Sequence, residues 1–294
     1  MHFLVFAVLC SVLVSVLLKL APRHRIDAMQ AIAWNYAMAS VLAALLLRPS
    51  FAALRDPHTP WGALFALSLA LPGIFLVLAG SVQRAGIVRS DVAQRLSLLL
   101  SLAAAFVLFG ETASTEKLAG LVLGVLAMAG IVQRPRTTAP ASVARGNDEV
   151  PARAWPWLLG VWAGFALIDV LLKTVARSGT PSLTALTLCF VLAFVWLLGA
   201  QCLRPRAARR PDLRSLAAGL LLGVLNFGNI LFYVRAHQSL PDSPATVFAT
   251  MNIGVVALGA IVGIAAFGER TTPATRIGLG LSVLAIGLIA WSAR

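Results

Sequence analysis

Charge is scarce in this chain of 294 residues: Asp, Glu, Lys and Arg together make up 12% of it, about half the share in a soluble globular domain. A chain so poor in charge cannot cover a water-facing surface, which excludes a soluble fold. Acidic residues are scarcest, 11 against 24 Lys and Arg, for a formal net charge of +13. In a soluble protein that excess would point to nucleic acid. Here the arginines cluster between long apolar runs, where orientation in a membrane accounts for them, and no nucleic-acid partner is expected. The three cysteines, Cys10, Cys189 and Cys202, show no CxxC spacing, so neither a disulfide framework nor a thiolate zinc site is expected. His2, His24, His58 and His237 fall at run ends or between runs with no ligand spacing, so no metal site is expected. No GxxxxGK[ST] phosphate loop occurs, and no cofactor is expected.

What fills the chain is apolar: 59% hydrophobic residues, in runs of about 20 that can each cross a bilayer as a helix. The runs predict ten helices, at 2–20, 28–47, 61–82, 88–109, 115–133, 155–176, 182–202, 213–235, 244–267 and 274–292. The first run lacks a basic leader and is followed by Pro22, Arg23 and His24, so it reads as a retained span rather than a signal peptide. One long polar linker, 135–154, separates residues 1–134 from 155–294, five helices on each side. The halves echo each other. VLLK at 16–19 returns at 170–173, and FGE at 109–111 returns at 267–269. Because five is odd, a tandem duplication turns the second half upside down in the membrane. The expected fold is therefore an all-α integral membrane protein of ten transmembrane helices in two inverted five-helix repeats.

Orientation follows from where the basic residues fall. One side receives Arg23, Arg25, Arg84, Arg89, the linker arginines, the cluster from Arg204 to Arg214, Arg270 and Arg276. The other receives only Arg48, Arg55, Lys117, Arg177, Arg235 and Arg294. The positive-inside rule puts the first side in the cytoplasm and both termini outside.

Two five-helix repeats, each with a polar first helix ending in a lysine and a fourth helix ending in FGE, resemble the drug/metabolite transporter superfamily, in particular its bacterial EamA-like members. The most specific pieces are Phe109, Gly110 and Glu111 followed by Gly120 and Gly124, and Phe267, Gly268 and Glu269 followed by Gly278 and Ser282, with FGNILFYVRA at 227–236 in support. The resemblance implies an inverted-repeat secondary carrier of small metabolites with a central cavity between the repeats.

Ionisable groups inside a membrane are costly and tend to mark pathways, which singles out Lys19, Lys173, Asp169 and Arg95. Each lysine lies near a helix end and could snorkel to the headgroups. Inversion, however, puts them at opposite faces of the membrane, so a shared structural or binding role explains both better. Asp169 precedes Lys173 by four residues, the acid-first order of a helical ion pair, and can either neutralise it or exchange a proton. Asp91 and Arg95 repeat the spacing, and there a structural pair is expected. Amides and phenols form the next layer: Asn35 and Tyr36, then Asn226, Asn229 and Tyr233, then Asn252, with Ser11 and Ser15 in the first helix. Asn226, Asn229 and Tyr233 share one helical face, which must meet protein or a wet cavity rather than lipid. The FGE glutamates read as helix caps that open the next helix. Gly120, Gly124, Gly278 and Gly280 read as helix-packing devices.

These residues predict a secondary transporter, monomer or homodimer, that moves a small polar solute, amino-acid-like or otherwise anionic or zwitterionic, across the bacterial inner membrane by alternating access coupled to protons or another gradient. A flippase gripping a phosphate headgroup with its lysines is the alternative. An integral-membrane enzyme is a remote one, since no His lies inside a predicted span and no metal-ligand spacing occurs.

Overall fold

The computed structural model describes residues 2–109, 154–205, 211–239, 244–269 and 273–292, with scattered helical positions between 115 and 126. The apolar runs are α-helices, because a backbone in lipid must satisfy its own amides and carbonyls. In chain order they are α1 (His2–Leu20), α2 (Ala28–Leu47), α3 (Trp61–Ala85), α4 (Ile87–Phe109), α5 (Trp155–Arg177), α6 (Ser182–Cys202), α7 (Leu213–Ser239), α8 (Pro244–Phe267) and α9 (Pro273–Ser292). Among the described residues there is no strand, and seven of these helices are long and apolar enough to cross a membrane. Ends agree with the predicted ones within a few residues; α7 runs furthest past expectation, to Ser239. A short 3-10 turn, Phe51–Arg55, was not visible in the hydropathy pattern. Most of the predicted helix at 115–133, and the linker up to residue 153, lie outside the described residues.

Each of the first four helices makes its main contacts with helices from beyond the linker. α1 packs on α7 and α8, α2 on α7 and α6, α3 on α5 and α6, and α4 on α5 and α8. Lipid provides no hydrophobic drive between helices, so close packing must supply the attraction, and small residues allow it. Gly219 and Gly223, one turn apart on α7, lie against the backbone of α2. A methyl group on Gly219 would come within 2.5 Å of the Ala31 carbonyl oxygen, and one on Gly223 within 2.8 Å of that of Asn35. Gly160 and Gly164 serve α5 in the same way against Val77 and Ile74 of α3. Gly280, expected to pack, meets nothing within 4 Å among the described residues. Spacing alone does not say which helical face a neighbour covers.

The outer surface is apolar, as lipid requires, with Val5, Phe6, Leu9 and Leu13 exposed on α1 and Phe65 and Leu69 on α3. At the arginine-rich end Asp27 ties three segments together. Its Oδ1 accepts from the amide of Gln30, capping α2, while Arg204, just beyond α6, grips the carboxylate with both terminal nitrogens at 2.9 and 2.7 Å. The Asp27 amide donates to Ser215 Oγ of α7 at 2.8 Å. Partial burial works to raise the Asp27 pKa, but Arg204 and the amides of Gln30 and Met29 outweigh it and hold the carboxyl below its usual range.

Candidate solute site

The sharp turn between α3 and α4 is where the second half of the chain reaches into the first. Gly86 takes φ +90, and the carboxylate of Glu269 occupies the space a side chain there would need. Glu269 Oε1 accepts from the Ile87 amide at 2.7 Å and Oε2 from the Val88 amide at 3.1 Å, so it satisfies two free donors at the positive end of α4. Glu269 thus acts as a cap, and the amides it is seen to serve belong to the first half of the chain. Glu269 caps α4, a helix of the first half, because α8 packs beside α4 and ends next to that turn. Lys19 joins the same point, 3.4 Å from Glu269 Oε1 and donating to the Val82 carbonyl at 3.0 Å. Protein partners therefore hold its ammonium, and it is not among the residues lining the cavity at Arg95.

From this end α4 climbs into a cavity of ≈ 450 Å³, walled by α4, α5, α7 and α8. That volume suits a small metabolite. α4 supplies Gln94, Arg95, Ser97, Leu98 and Ser101; α5 supplies Phe165, Asp169, Val170 and Lys173. α7 adds Asn229, Ile230 and Tyr233, and α8 adds Met251 and Asn252. Arg95 is held from two sides: Nη2 donates to Ser11 Oγ of α1 at 2.8 Å and Nη1 to Asn252 Oδ1 at 3.4 Å. Its buried Nε and the buried Oδ1 of Asn229 have no hydrogen-bond partner among the described residues. Asp169 Oδ2 accepts from Ser101 at 2.8 Å, while Trp162 of α5 donates to the Leu96 carbonyl at 2.9 Å and sets α5 against α4. Cationic, acidic and amide groups thus line one chamber, with Phe165, Ile230 and Met251 as apolar wall.

Of the ten residues singled out from the sequence, Arg95, Asp169, Lys173, Asn229, Tyr233 and Asn252 meet here. Lys19 lies at the α3–α4 turn. Asn35 and Asn226 lie in the seam between α2 and α7, where Asn226 Nδ2 donates to Asn35 Oδ1 at 3.3 Å. Tyr36, next to Asn35 on α2, is fully buried against Phe75 of α3 and Phe190 of α6. The α7 stripe therefore divides, because seven residues of helix rise about 10 Å, enough to carry one face from a helix contact into a cavity. Asp91 and Arg95 do not form the expected ion pair; Asp91 Oδ1 accepts from Ser15 while Arg95 turns to Ser11 and Asn252. A serine one turn away on α1 competes for each. Gln94, Ser97 and Ser101 went unnoticed in the sequence, although their spacing of three and four from one another was the available signal.

A family model for the EamA-like transporter family matches residues 1–133. An uncharacterized protein of Haemophilus influenzae is 41% identical over 297 residues, spanning 97% of this chain and 96% of its own. The chain belongs to the EamA-like transporter family. As an EamA-like protein it is a multi-pass membrane transporter of the drug/metabolite type, in a family of transporters rather than enzymes. One solved crystal structure of a protein shares the fold across 98% of this chain and 97% of its own, with a TM-score of 0.56 at 16% identity.

Proposed function

We propose that this EamA-like protein is a secondary transporter of a small organic metabolite bearing an anionic or zwitterionic group, driven by an ion gradient across the bacterial inner membrane. The observation that carries the reading is the cavity itself, where Arg95 and Lys173 face Asp169, Asn229 and Asn252 in a chamber built by both halves of the chain. A zwitterion offers a carboxylate to the cations and an ammonium to the acid and amides. The α1–α7 contact has its counterpart in α5–α3, and α1–α8 in α5–α4, as an inverted repeat would have it, and such repeats rock about a site between them. With the arginine-rich side cytoplasmic, the Lys19–Glu269 contact closes the inner end, and Lys173, about one turn from the end of α5, lies toward the outside.

A melting-temperature screen of the purified protein against amino acids, dicarboxylates, organic cations and phospholipid headgroups tests this reading. A solute at a hundredfold its Kd adds about 2.7 kcal/mol to the folded state, a readily visible shift. Zwitterions or carboxylates should produce it. A shift from headgroups or cations alone would overturn the reading. Orientation has its own check: a reporter active only in the periplasm should work when fused after Arg294 and stay silent when inserted near Arg145, and the reverse pattern would refute both termini being outside.

A further inference from the structure

α1 and α4 meet through three polar rungs, each one helical turn from the next. Ser11 accepts from Arg95, Ser15 donates to Asp91 Oδ1 at 2.8 Å, and Lys19 meets the Glu269 carboxylate that caps Ile87 and Val88. The spacing is four residues on both helices, which run in opposite senses, so the rungs lead from the cavity at Arg95 to the arginine-rich end. On the middle rung Asp91 is 2% exposed and its Oδ2 has no donor. That oxygen lies against Gly259 of α8, filling the place of the missing side chain. The charges acting on Asp91 are Arg95, one turn along its own helix, and Glu269, beyond the end of α8. Lys19 of α1 meets Glu269 directly. Among the described residues, α3, α5 and α9, which also pack on α4, present Asp91 with no charge.

An ionised carboxylate with one oxygen unserved in such a place is costly, and the carboxylate of Glu269 adds like-charge repulsion. Ser15 and the Arg95 guanidinium favour the ionised form, so two opposing influences of similar kind meet on one group. We propose that Asp91 is a proton-binding site coupling the cavity to the α1–α4 seam. A proton taken up on Oδ2 leaves Asp91 neutral, removes the repulsion from Glu269, and leaves the Arg95 charge uncompensated by its neighbour. Arg95 then attracts an anionic group more strongly, and by reciprocity a bound anion favours the proton. That second step rests on the solute reading of the cavity; the proton site does not.

Infrared spectra of the purified protein in detergent, recorded through a pH titration with no solute present, test the site directly. A carboxylic-acid carbonyl band should titrate in the wild type, vanish in Asp91→Asn and persist in Asp169→Asn. Should Asp91→Asn fail to fold, Ser15→Ala retains the carboxyl but removes the donor to its charged form, and the midpoint should move up by about one pH unit. A band unchanged in Asp91→Asn, or lost in Asp169→Asn instead, or a midpoint unmoved in Ser15→Ala, would overturn the proposal. Because the readout uses no solute, a failed solute screen with the Asp91 band intact removes only the solute reading. An absent wild-type band beside a successful screen removes only the proton site.

Discussion

Glu269→Ala should lower the unfolding free energy by about 3–5 kcal/mol, the loss typical of breaking one partner out of a buried ion pair. Glu269 and Lys19 keep only 12% and 19% of their side-chain surface exposed, so little water is at hand to replace either. The substitution also leaves the Ile87 and Val88 amides without their acceptor and Lys19 with the Val82 carbonyl alone. Denaturant or thermal unfolding in detergent measures the effect. Lys19→Met combined with Glu269→Gln should recover part of the loss, because no cation is stranded and one amide acceptor survives; the coupling between the two changes is the ion-pair contribution. A Glu269→Ala protein as stable as the wild type would show that the cross-half cap contributes nothing.

Arg95→Gln should weaken binding of a carboxylate-bearing solute by about 10- to 100-fold, the range for losing one charge-assisted hydrogen bond. Arg95→Lys should restore only part of it, since an ammonium keeps the charge but not the fork that also spans Ser11 and Asn252. Titration of the solutes that raise the melting temperature gives the affinities, and the melting temperature of each variant without solute separates lost binding from lost structure. Unchanged affinity in Arg95→Gln would remove Arg95 from the site.

Much of the architecture was legible in the sequence because lipid imposes a one-dimensional rule: a run of about 20 apolar residues closes its own hydrogen bonds and becomes a helix. Hence α1, α2, α6 and α8 begin and end where hydropathy puts them. The cavity was half legible. Intramembrane charges such as Arg95, Asp169 and Lys173 are rare enough to stand out singly, whereas Ser97, Ser101 and Gln94 look like many other polar residues until a wall forms around them.

By itself, then, the sequence determined the helices, the division of the chain into two echoing halves, and the short set of polar residues that the membrane would not tolerate without purpose. The tertiary structure decided who meets whom. Lys19 and Lys173, identical by repeat, end in different places, one tied to Glu269 and Val82, the other on the cavity wall. Glu269 caps a helix 181 residues away in the chain. Asp91 and Arg95, correctly spaced to pair, are drawn to Ser15 and Ser11. Periodicity encodes which face of a helix a residue occupies, but the neighbour on that face is chosen by close packing. Glycines such as Gly219, Gly223 and Gly259 set that packing, and their effect depends on the opposing surface as much as on their own helix.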